Sequence, residues 1–146
     1  MQAEPYALRL DLAKAHAYLK RPLHFEERGR GPGGEQSMRR AESNLLGDIV
    51  LARKELPASY HLAVVVDDAL QGIGLVTRSE DLYHATHIQR VLQELLGLRA
   101  PIYAHHRLIV DETGKKFSKR NEAVTLRALR AAGVTAADIR ERLGFS

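Results

Sequence analysis

The chain contains no cysteine and no tryptophan, and its Phe, Trp and Tyr content is only 5%. The missing thiols exclude disulfides, thiolate-ligated zinc, iron–sulfur clusters and a cysteine nucleophile within these 146 residues. No apolar run approaches the roughly 18–20 residues needed to cross a bilayer. The first residues carry Glu4 and Asp11 and no long apolar core, so they do not read as a secretory signal. The expectation is a cytoplasmic protein without a membrane partner. Neither charge dominates: 22 Lys+Arg against 18 Asp+Glu leaves a net +4. The pI of about 9.6 permits a polyanionic partner but does not require one. What is present, 45% hydrophobic and 27% charged residues, is ordinary for a soluble globular protein and argues against a disordered chain.

Residues Glu27 to Glu35 hold four of the eleven glycines, a density that excludes a helix or strand interior and predicts a surface loop. Upstream, Tyr6 to Leu10 alternates like a short strand, and Leu12 to Leu19 has helical spacing. Downstream, Asp48–Arg53 and His61–Val66 are apolar runs with β-branched residues. The second is nearly continuous, as expected of a strand covered on both faces and ended by Asp67-Asp68. Gly72 to Thr77 is a third strand candidate. Ile88, Val91, Leu92, Leu95 and Leu96 then form one helical stripe, with Gly97 as its stop. Ile102 to Val110 reads as a strand, and two short helices finish the chain, the second capped by Thr135 with Asp138 three residues on. This order implies an α/β layer with a parallel core.

Gly114-Lys115-Lys116-Phe117-Ser118-Lys119-Arg120 follows a predicted strand and carries the clearest chemical signal. Its ammonium groups, on a glycine-hinged loop, can close over a triphosphate and stabilise charge on departing pyrophosphate. The plainer alternative is a solvated basic turn. The histidines are less informative. His84 and His87 could ligate a metal, but no third ligand is evident, and a solvated helix start capped by Thr86 is the simpler expectation. His105 and His106 on one strand point to opposite faces.

Lys-Phe-Ser-Lys-Arg resembles the Lys-Met-Ser-Lys-Ser loop of class I aminoacyl-tRNA synthetases, in the form common among glutamate enzymes. Three further stretches agree in order and spacing with the glutamyl-tRNA synthetase group: Gly47–Lys54, Ser59–Asp68 and Val76–Leu82. Tyr103-Ala104-His105-His106-Arg107-Leu108-Ile109 and the tail Ala132–Arg140 are similar to the group's shortened branch, the glutamyl-Q tRNA(Asp) synthetases. The resemblance implies the second half of a class I Rossmann-type nucleotide-binding domain, followed by short C-terminal helices. It divides the chain into residues 1–46, a remnant of the connecting region with the Gly-rich loop; 47–112, the Rossmann-like half-domain; and 113–146, the lysine loop and terminal helices.

The resemblance also implies roles. Tyr60 and Arg78 would hold glutamate, and Lys119 would contact ATP phosphate as the catalytic lysine, supported by Lys116 and Ser118. Without it, a half-buried tyrosine at Tyr60 and a solvated arginine at Arg78 are the simpler expectations. Asp67, Asp68, Glu80 and Asp81 are expected at strand ends, where α/β ligands bind, with turn and cap duty as the alternative. The implied reaction activates glutamate with ATP, Mg2+ expected, and transfers it to queuosine of tRNA(Asp). Alternatives are a glutamyl-tRNA synthetase fragment charging tRNA(Glu), and a non-catalytic tRNA- or nucleotide-binding remnant. Ser79 departs from the usual glycine, and Phe117 from Leu or Met. No His-Ile-Gly-His-like motif precedes residue 47, and the family's zinc module has no counterpart. The isolated chain is therefore expected to be nearly inactive, with a missing N-terminal half or self-association as possible complements. Only 26 residues follow Arg120, too few for an anticodon-binding domain.

Overall fold

The computed structural model describes residues 7–29, 34, 36–42, 47–110, 114, 116 and 125–145. They fall into two compact units, residues 1–108 and 109–146.

In the first unit, β1 (Leu8–Leu10) pairs antiparallel with β4 (Ile49–Ala52) in a two-stranded sheet. Between them lies α1 (Leu12–Leu19), started by Asp11, whose carboxylate accepts the Lys14 backbone N–H at 2.9 Å. The principal sheet has four strands in the order β3-β2-β6-β5. Strands β2 (His24–Glu27), β6 (Ile102–His106) and β5 (Leu75–Ser79) run parallel, and β3 (Ser37–Arg40) closes one edge antiparallel. The parallel α/β core anticipated from the sequence is therefore present. Two of its strands, β2 and β3, carry no strong apolar alternation, and periodicity alone does not reveal them. Phe25 is the only apolar residue in β2, and Glu27, expected in a surface loop, is instead buried at the strand's end.

The main departure concerns residues 60–70. The run expected as a doubly covered strand is α2 (Tyr60–Leu70). Ser59 caps it, accepting the Leu62 N–H at 3.4 Å. Gly72, at φ 67°, ends it in a Schellman turn: its N–H reaches the Ala69 carbonyl at 3.2 Å, and the Ile73 N–H reaches that of Asp68 at 2.9 Å. Only Val65 is fully buried in this helix. One covered stripe, and not two covered faces, is what a surface helix needs. Tyr60 accordingly opens a helix, not a strand, and Asp67 and Asp68 continue that helix. Strand β6 stops at His106 and does not extend to Val110.

A short 3-10 turn, Glu80–Leu82, leads from β5 into α3 (Tyr83–Leu95). This helix buries Ala85, Val91 and Leu92. The core gathers Leu12, Leu23, Phe25, Ile49, Val91 and Tyr103 from both sheets and two helices. Each such large side chain contributes about 1.5–3 kcal/mol through removal from water. Glu94 of α3 binds Arg90 Nη2 at 2.7 Å and also meets Arg21, while Arg90 Nε donates to the His24 carbonyl at 2.8 Å. These bonds tie the last turn of α3 to the start of β2.

In the second unit, Val110 and Lys116 form an antiparallel bridge across Gly114, whose φ is 79°. Helix α4 (Leu126–Ala131) is capped by Thr125, and α5 (Ala136–Arg142) by the reciprocal Thr135–Asp138 capping box that the sequence suggested.

Candidate functional site

The parallel strands end in a buried polar cluster. Register places Arg78 of β5 opposite His105 of β6, so both side chains share one level of the sheet. His105 is 1% exposed, whereas His106 points outward, as strand alternation requires. Arg78 is not a solvated arginine: it is 9% exposed. Its Nε donates to His105 Nε2 at 3.1 Å, Nη2 donates to Thr86 Oγ1, and its guanidinium lies over the Tyr103 ring at 5.1 Å from the centroid.

Thr86 is fully buried in α3, and His87 beside it is also buried. The sequence expectation of a solvated helix start with Thr86 as cap is thus overturned. The 3-10 turn moves the chain's entry into the helix upstream, so residues 86 and 87 already face the sheet. His87 Nδ1 accepts the Glu42 backbone N–H at 2.9 Å, and burial lowers its pKa from the usual histidine range.

Behind His105 stands Glu27, 1% exposed at the end of β2. Its Oε1 accepts the backbone N–H groups of Gly29, at 2.7 Å, and His105, at 2.9 Å. Its Oε2 meets His105 Nδ1 at 2.5 Å. Burial is the main influence lowering the His105 pKa; Glu27 opposes it and Arg78 adds to it. Sequence reasoning misses Glu27 by including it in the glycine-rich loop, and misses Thr86 by reading it as a cap. No sequence signal singles Glu27 out, because the strand that it ends is itself not revealed by periodicity.

Among the described residues no carboxylate forms an ion pair with Arg78, and its Nη1 has no hydrogen-bond partner there. A buried cation held by neutral groups and an aromatic face is an incomplete arrangement. An incoming carboxylate or phosphate would complete it. Its location at the carboxyl ends of parallel strands is where ligands enter α/β sheets.

Tyr60 is half exposed at the start of α2 and lines, with Ser59, His61, Asp48, Arg53 and Ile88, a cavity of about 440 Å3. Burial, and secondarily the charge of Arg78, lowers the His61 pKa; Arg78 also opposes the burial-driven rise at Asp68. The four acidic residues do not form the expected group at strand ends. Asp67 and Asp68 lie in α2, Glu80 Oε1 accepts the Leu108 N–H at 3.2 Å, and Asp81 accepts the Ser79 hydroxyl at 2.6 Å. Ser79 has φ −73° and ψ 148°, ordinary extended backbone, so replacing glycine there imposes no strain. Lys116 belongs to the second unit. Ser118 and Lys119 lie outside the described residues. Among the described residues, no group of three or more His, Cys, Asp or Glu side chains is placed to hold a metal ion, and no helix is long and apolar enough to cross a membrane.

Known proteins resemble this chain in sequence and in fold. A glutamyl-Q tRNA(Asp) synthetase of Rhodobacter capsulatus is 47% identical over 139 residues, covering 94% of this chain and 48% of its own length. Glutamate–tRNA ligase 2 of Syntrophus aciditrophicus is 34% identical over 128 residues, covering 85% of this chain and 26% of the relative. The crystal structure of glutamate-tRNA synthetase from Elizabethkingia anophelis matches with a TM-score of 0.56 and 30% identity, over 80% of this chain and 21% of that one. The chain thus spans about half the length, or less, of these relatives. The family model for the catalytic domain of class I tRNA synthetases (E and Q) matches residues 37–144. The chain belongs to the class I tRNA synthetase family, in the branch of the E and Q catalytic domains.

Proposed function

We propose that this chain supplies the glutamate-holding half of a glutamyl-Q tRNA(Asp) synthetase-type ligase. The whole reaction would join glutamate to ATP as glutamyl-adenylate, releasing pyrophosphate, and then pass the glutamyl group to queuosine of tRNA(Asp). The observation that carries this reading is the Arg78 guanidinium, buried, paired with no carboxylate among the described residues, and open at Nη1. Such a fork accepts a carboxylate bidentately, which a lysine cannot reproduce. Tyr60 would offer its phenol to the same amino acid. Lys119, with Lys116 and Ser118, would steady the ATP phosphates; Mg2+ would share that charge when bound. Catalysis on this reading rests on positioning and electrostatics, with no covalent step on the protein.

The test is glutamate-dependent ATP–pyrophosphate exchange, followed by glutamate transfer to queuosine-containing tRNA(Asp) and to tRNA(Glu). Each is run with the chain alone and with an added N-terminal half from the Rhodobacter capsulatus relative. Exchange that needs both halves, with transfer to tRNA(Asp), is expected. Transfer to tRNA(Glu) alone would instead favour a glutamyl-tRNA synthetase fragment. No exchange in any combination would reduce the chain to a binding remnant. Lys119→Ala should lower exchange about 100-fold if its ammonium stabilises the departing charge.

A further inference from the structure

We propose that Glu27 and His105 are positioning residues: the Glu27 carboxylate holds His105 in the Nδ1–H form, so that Nε2 accepts from Arg78 and fixes the guanidinium for its ligand. The inference rests on the reading of Arg78 as a carboxylate-binding residue and extends it to a strand pair behind the site.

The hydrogen bonds permit few alternatives. Arg78 Nε can only donate, so His105 Nε2, 3.1 Å away, must be the acceptor. A histidine accepting at Nε2 carries its proton on Nδ1, and Nδ1 faces Glu27 Oε2 at 2.5 Å. The Thr86 hydroxyl, which accepts from Arg78 Nη2, lies 3.2 Å from the same Nε2 and can donate to it. The imidazole is therefore neutral, so it holds the arginine without cancelling its charge. A carboxylate placed directly on Arg78 would fix it equally well but would occupy the fork that an anionic ligand needs. Glu27 sits one residue further away, where it sets the tautomer and leaves that fork open.

The carboxylate is itself fixed. Oε1 takes the two backbone N–H groups of Gly29 and His105, and these donors cannot be reversed. Gly29 is also required by space, since a β-carbon there would collide with the backbone nitrogen and oxygen of His105. The chain leaving β2 thus approaches β6 as closely as backbone allows, at the level of the Arg78 support.

Glu27→Gln gives a decisive test. The two backbone donors keep the amide oxygen, so the amide NH2 turns towards Nδ1. His105 must then accept at Nδ1 and carry its proton on Nε2, facing Arg78 Nε–H donor to donor. The full chain, labelled with 15N at histidine and arginine, reports both states by NMR. In the wild type at pH 7.5, His105 is expected as the Nδ1–H tautomer, with a slowly exchanging Arg78 Nε–H signal. In E27Q the tautomer reverses and the Arg78 signal is lost, while circular dichroism stays native. In the two-half exchange assay, E27Q raises the glutamate KM about tenfold and leaves the ATP KM within about twofold, as expected for loss of one charged hydrogen bond. A wild-type His105 protonated on Nε2, or on both nitrogens, overturns the inference whether or not E27Q folds. An unchanged tautomer and Arg78 signal in a folded E27Q overturns it too. Arg78→Lys separates the two readings. If R78K leaves the glutamate KM unchanged while E27Q reverses the tautomer, Arg78 is not the carboxylate ligand and the positioning of Arg78 by Glu27 stands.

Discussion

Gly29 has the least room to change of any described glycine, because a β-carbon there would fall on the backbone of His105 and Ala104. Gly29→Ala must part β2 from β6 or distort both, and backbone offers no rotamer through which to escape. The expected cost is about 1–3 kcal/mol, as for other overpacked sites, read as a lower urea midpoint with an unchanged slope. A wild-type midpoint would mean the strands separate freely there and that the Glu27 bonds are not under tight constraint. The polar cluster is partly legible one residue at a time. Strand alternation separates buried His105 from exposed His106, and motif resemblance singles out Arg78 as well as Tyr60. Glu27 and Thr86 are not legible in this way. Their partners lie 78 and 8 residues away in sequence, and only the order of strands in the sheet brings a carboxylate from β2 behind a histidine of β6.

Helix α2 shows where composition misleads about element type. Val64-Val65-Val66 has the β-branched make-up of a strand, and the strand expectation gives that more weight than punctuation. Yet Ser59 and Gly72 bracket the segment as cap and stop, and Ser59 to Gly72 is a helical length, not that of an ordinary strand. Tertiary packing also accommodates the helix, since only Val65 needs full burial. Where the end signals are strong, as at Gly97 after α3 and at the Thr135 cap of α5, sequence and structure coincide. Gly72→Ala is expected to destabilise the protein by about 1–2 kcal/mol, because alanine meets the left-handed penalty at φ 67° without any clash in space. Urea unfolding measures it, and a neutral result would mean that α2 can end one residue earlier at no cost. If Tyr60 holds glutamate as proposed, the same substitution at the far end of α2 should leave the glutamate KM of the two-half exchange assay unchanged.

At the scale of the molecule, the described residues place a pH dependence in three histidines, two buried and one partly buried. His61, His87 and His105 all have pKa values lowered from 6.5, with burial the largest cause in each. A histidine whose folded pKa lies below its unfolded value binds fewer protons when folded, so its contribution to stability is complete above pH 6.5 and is lost as pH falls below it. Each one can contribute a slope of up to about 1.4 kcal/mol per pH unit while its folded form stays neutral. The carboxylates act in a lower window. Hydrogen bonds from Arg90 and Arg21 lower the pKa of Glu94 from 4.5, so the stability it supplies is lost only as pH falls through the carboxylate range. Asp68 has the opposite sign, its pKa being raised by burial from 3.8, and it opposes that second loss. Acid unfolding should therefore come in two stages, with histidines responsible for the first. Between pH 7.5 and 5.5 the urea midpoint is expected to fall, and His87→Gln, which removes one such titration while leaving an amide near the Glu42 N–H, should flatten part of that fall. A midpoint constant across this interval would show that the histidines titrate alike in the folded and unfolded chains, and with it the case for a neutral His105 holding Arg78 would weaken.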